Sequence, residues 1–116
     1  MSSQPQSKQR ALDENPLGKW LRALRHARGL PLRAVAAEAE MDTALMSKIE
    51  LGQRLPTEKQ TAAFAAFFGV ALEEMEAKRI AERFWMDHKD NPAASKAATL
   101  INMKARQNSE KNGNHG

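Results

Sequence analysis

The chain has 116 residues, 41% of them apolar, with no cysteine, a formal net charge of +4 and a pI near 9.7. That length supports one small core and leaves no room for a large enzyme cleft, and the lack of thiols excludes disulfides and cysteine chemistry. The basic balance favours a polyanionic partner, yet the surplus lies late, since residues 16–75 carry eight cations against seven anions and 76–116 eight against five.

Residues 1–14 are rich in Ser, Gln and charge, cannot bury enough surface to order themselves, and read as a flexible arm carrying Lys8 and Arg10. Asn15-Pro16 predicts a helix start, with the asparagine as cap and proline at the first helical position. Leu17, Leu21 and Leu24 then form an inward stripe with Trp20 beside it, and Gly29 ends the helix. Arg22, Arg25 and Arg28 recur every three residues as a basic face.

The stretch LRAVAAEAEMDTALMSKIELGQRLP, from Leu32 to Pro56, reads as two short helices at a sharp angle. The first ends near Ala39 and points Val35, Ala36 and Ala39 inward. The second opens at Asp42, whose carboxylate can accept the free amides of the first turn, and closes before Gly52. Leu45, Met46 and Ile49 give it a buried edge, while Thr43, Ala44, Ser47 and Lys48 occupy the other. Small or extendable side chains with one cation suit a groove lined by phosphates and base edges, which is helix-turn-helix geometry.

Pro56-Thr57 begins a fourth helix, where Thr57 and Gln60 have capping-box spacing. Phe64, Phe67 and Phe68 fall at helical spacing and read as core, with Gly69 closing the helix. A fifth helix runs from Leu72 well beyond Met75, with Ala77, Ile80, Ala81, Phe84 and Trp85 as a stripe and Glu74/Lys78 and Lys78/Glu82 as surface pairs. That stripe requires cover by the last helix, a second subunit, or both. Asn91-Pro92 repeats the start signal, and a further helix follows through Gln107 with Ala94, Ala97, Ala98, Ile101 and Ala105 on one side, suited to folding back as an antiparallel hairpin. The plan is thus an arm over 1–14, a DNA-binding domain over 15–75, a helical extension over 76–107 for dimerisation or partner binding, and a disordered tail over 108–116.

In order and spacing, LGKWLRALRHARGL, VAAEAEMD, SKIELGQRLP and AAFFGVALEEM resemble the helix-turn-helix regulators of the phage repressor type, the Cro/cI or xenobiotic-response-element-like family. The resemblance covers Leu17 to about Met75. It implies an all-α fold with a five-helix core, here followed by a C-terminal helical extension, and a pairing of Arg25 with Glu50 that ties the first helix to the end of the recognition helix. The chain departs from the family at three places. Pro31-Leu32 stands for Ser-Gln at the start of the second helix, Ala71 for a capping Ser or Thr, and Glu40 for the glycine of the tight turn. A non-glycine residue in that turn costs on the order of 1 kcal/mol, or a different turn forms.

His26, His88 and His115 lie far apart without partners at ligand spacing, and no glycine-rich phosphate loop or nucleophile elbow occurs, so neither an enzyme, a metal nor a cofactor is implied. No stretch approaches the ~18 apolar residues of a membrane span, and a cytoplasmic protein is expected. The expected function is a transcriptional regulator, a repressor binding double-stranded DNA as a homodimer on a two-half-site operator. Thr43, Ala44 and Lys48 are expected to read base edges, and Arg33, Ser47, Gln53 and Arg54 to hold phosphates. Two alternatives stay open. One is an antitoxin or restriction-modification controller whose C-terminal helices bind a partner protein; the other is a helix-turn-helix scaffold used only for protein contacts.

Overall fold

The computed structural model describes residues 14–113; the expected arm over residues 1–14, apart from Glu14, and the last three residues lie outside them. Among the described residues there are six helices and no strand: α1 (Leu17–Ala27), α2 (Leu32–Glu38), α3 (Thr43–Glu50), α4 (Glu58–Phe68), α5 (Leu72–His88) and α6 (Ala94–Gly113). The fold is all-α, with a helix-turn-helix core and a C-terminal helical extension. The chain divides into two units at Arg83/Phe84, within α5.

The first unit is built round one apolar cluster. Leu17 and Leu21 of α1, Val35 and Ala36 of α2, Met46 and Ile49 of α3, Phe64, Ala65 and Phe68 of α4, and Met75 of α5 meet there with Ala39. α2 packs on both α3 and α4, and α1 on α3. Leu24 and Leu45, expected inside, are half-buried at the margin, as are Trp20 and Phe67.

Four of these helices end in the same way. In each, a residue of positive φ follows the last helical turn: Gly29, Glu40, Gly52 and Gly69. The next amide turns back to a carbonyl five residues earlier, in the bonds Leu30 N–H to Arg25 O, Met41 to Ala36, Gln53 to Lys48 and Val70 to Ala65. This is the Schellman ending, which satisfies carbonyls the helix leaves free and drops the following side chain on the helix it closes. Leu30, Met41 and Val70 accordingly pack against the core. At Glu40 the required left-handed conformation (φ 57°) is adopted by a residue with a Cβ, so the turn keeps the backbone that a glycine would take without strain.

The starts follow the sequence except at α1 and at α6, which begins at Ala94, two residues after Pro92. Asp42 accepts the Leu45 amide at 2.8 Å, and Thr57 and Gln60 form the reciprocal capping box. At α1, however, Pro16 itself occupies the cap position and no side chain caps the helix, so the asparagine cap expected there is not formed. Proline's fixed φ suits that extended residue, and its missing N–H costs nothing at a helix start.

The second unit comprises the end of α5 and α6. The Phe84 and His88 rings lie 4.8 Å apart one turn from each other, and Asn91 accepts the Ala93 amide through its side chain in the link that follows. α6 continues to Gly113, past the end expected at Gln107, so residues 108–113 are helical and not tail. Along α6, Ala98, Leu100, Ile101, Met103 and Ala105 are exposed, while Ala94 and Ala97 are half-buried.

Candidate nucleic-acid interface

α3 is only eight residues long, too short to be stable by itself, and its orientation is imposed from outside. Its inner face is fully engaged, with Met46 and Ile49 buried in the core. At its C-terminal end α1 approaches so closely that a Cβ on Gly18 would lie 2.5 Å from the carbonyl oxygens of both Ile49 and Glu50. Only glycine permits that approach. The sequence alone offers no sign of this role, because Gly18 stands inside a helix where glycine is ordinarily a defect.

Beside that contact Arg25 reaches Glu50 with both faces of its fork. Nε donates to Oε2 at 2.8 Å and one terminal nitrogen to Oε1 at 3.0 Å, while the other terminal nitrogen donates to Leu30 O at 2.9 Å. The hydrogen bonds to Glu50 hold the Arg25 guanidinium above its ordinary pKa, against the opposing effect of burial. The pair therefore ties the end of α3 to α1 and to the turn that follows it.

Two of the expected basic residues are diverted into structure. Arg28 donates to Phe67 O at 2.9 Å and lies 5.2 Å from the centres of both the Phe67 and Phe68 rings, so it closes α1 onto α4 in place of joining a solvated basic face. Lys78, expected to be a surface partner of Glu74 and Glu82, is buried. Its ammonium stands over the Trp20 ring at 5.0 Å and donates to Asn15 O, linking α5 to the start of α1. Arg79 is held by Glu76 at 2.7 Å with Glu58 nearby.

The outer face of α3 is different. Thr43, Ala44 and Lys48 are exposed, Ser47 is half-buried beside them, and Gln53 and Arg54 are exposed just beyond the helix. Arg33 is exposed on the first turn of α2. Among the described residues none of these side chains has a hydrogen-bond or ion-pair partner. The face is thus bare, small-residued and cationic, on a helix whose opposite side is locked. Leu51, at 62% exposure, borders it at the C-terminal end. The stripe on α5 is likewise uncovered, with Ala77, Ile80, Ala81 and Trp85 exposed and Phe84 half-buried.

A short capped helix set across a second helix by a tight turn, one face buried and the other open, defines a helix-turn-helix unit. The family model described as a helix-turn-helix domain matches residues 16–77, more than half of the chain, and the chain belongs to that family. DNA binding, in the setting of transcription regulation, is what that membership implies. Comparison with curated proteins and with solved structures gives no match. No helix among the described residues is long and apolar enough to cross a membrane.

Proposed function

We propose that the chain is a sequence-specific regulator of transcription of the Cro/cI type, a repressor that binds double-stranded DNA as a symmetric dimer on an operator with two half-sites. The observation that carries this reading is the bare outer face of α3 on a helix otherwise held from three sides. In the major groove Lys48 donates to guanine O6 and N7, the Ala44 methyl meets a thymine methyl, and Thr43 bonds either a donor or an acceptor edge. Arg33, Ser47, Gln53 and Arg54 hold backbone phosphates and set the register of α3.

Selection of duplexes from a random pool, followed by titration of the winner over a range of salt, tests the reading. With Arg33 and Arg54 each neutralising one phosphate per subunit, log K falls with log salt at a slope of about −4 for a dimer. Lys48→Ala loses about 1–3 kcal/mol on the selected site and relaxes preference at one base pair, whereas Arg54→Ala weakens all duplexes alike. A pool from which no duplex is enriched, or a salt-independent affinity, rejects the proposal.

A further inference from the structure

The uncovered stripe on α5 and the uncovered side of α6 carry opposite charges. Helical spacing from Ala77, Ile80, Ala81 and Phe84 puts Glu73, Glu74 and Asp87 on the borders of the α5 stripe. Of the cations of that helix, Lys78 is turned to Trp20 and Arg79 to Glu76, while exposed Arg83 stands beside Asp87 at one edge, so acids outnumber cations along the stripe by three to one. On α6 the same spacing from Ala97, Ile101 and Ala105 brings Lys104 and Lys111 to the apolar side, with Leu100 beside them and Lys96 at its edge. Ile80, Trp85, Leu100, Ile101 and Met103 are each more than half exposed. Large apolar side chains grouped at helical spacing and rimmed by charge mark an interface.

We propose that the occupant is a second copy of this chain, in which α6 of one protomer lies on the α5 stripe of the other and the reverse contact forms at the same time. A second copy is favoured over any other occupant because one operation covers the α5 stripe and the Ala97/Ile101 side of α6 together. Each protomer offers an acid-bordered stripe and a lysine-bordered helix, and a two-fold axis sets each against its complement. The inference deepens the proposed function, resting on its dimer and assigning the surface that makes it.

The test reverses charge on one helix at a time in the full chain. One variant carries Glu73→Lys, Glu74→Lys and Asp87→Lys; the other carries Lys96→Glu, Lys104→Glu and Lys111→Glu. Sedimentation measures each alone and the two mixed in equal amounts, with circular dichroism as the check on folding. Each variant alone sets like charges across both contacts and weakens the dimer by about tenfold or more. Mixed, they restore opposite charges at both contacts, and affinity returns to within about threefold of the original.

Closure of α6 on α5 within one chain, or a different protein as partner, gives no restoration on mixing and overturns the proposal. So does a monomeric unmodified chain, or a dimer indifferent to both reversals. Should a triple variant lose helicity, Asp87→Lys and Lys104→Glu replace the triples under the same criteria. Duplex binding by the unmodified chain separates the two readings. A monomer that still binds DNA defeats this interface alone, and a dimer rescued by mixing that binds no duplex defeats the DNA reading alone.

Discussion

Replacing Glu50 by alanine removes both acceptors of the Arg25 fork and leaves that guanidinium only the Leu30 carbonyl and a 3.4 Å approach to the His26 ring. Breaking a buried ion pair from one side costs about 3–5 kcal/mol, since the remaining charge stays desolvated. Arg25 keeps 12% exposure and one good hydrogen bond, which brings the expected loss to about 2–3 kcal/mol. For a unit of this size that corresponds to a fall in Tm of roughly 10–20 °C, followed by circular dichroism on heating. The double replacement Arg25→Met, Glu50→Leu removes the stranded charge as well and recovers most of the loss. A Tm lowered by less than about 3 °C in Glu50→Ala, or a double variant no better than the single one, refutes the account of this pair as the tie between α1 and α3.

Gly18→Ala drives a methyl group into two backbone carbonyls that cannot move aside without displacing α3, so it lowers stability by about 2–4 kcal/mol in urea unfolding and weakens binding to every duplex. Glu40→Gly relieves the left-handed residue and raises stability by about 1 kcal/mol in the same assay; a loss of stability contradicts the strain. Lys78→Ala removes the donor to Asn15 O and the cation over Trp20, costing about 1–2 kcal/mol and shifting Trp20 emission, whereas a surface lysine at this place leaves both unchanged.

The helices and their endings were legible because local chemistry decides them. Asp42, Thr57 with Gln60, and the three positive-φ glycines act within a few residues of where they stand. The core was legible through spacing, as at Val35, Ala36, Met46, Ile49 and Phe64. Residues whose role depends on a distant partner were not legible in that way. Gly18 reads as a poor helix former until the carbonyls of α3 are seen against it, and Lys78 reads as a surface cation until Trp20 and Asn15 enclose it. Arg25 was separable from Arg22 and Arg28 only through resemblance, since no periodicity joins residues 25 apart. The outer face of α3 is the reverse case. Its composition marks it as a bare cationic face, because Thr43, Ala44, Ser47 and Lys48 are legible as small or extendable side chains without any distant partner.

Two classes of substitution follow from how α3 is held. The Asp42 cap, the Gly18 contact, the Arg25–Glu50 pair and the turn at Gly52 all act on its backbone or its ends, and none belongs to its outer face. Damage to any of them changes the aim of the whole helix, so every contact suffers together and affinity falls without a change in base preference. Thr43, Ala44 and Lys48 take no part in that frame, being exposed and unpartnered among the described residues. Under the proposed function, exchange at those positions leaves the aim intact and alters only the match to particular base pairs. If the proposed readout holds, separation of support from readout on the two faces of one eight-residue helix makes stability and sequence preference independently measurable consequences of the same α3.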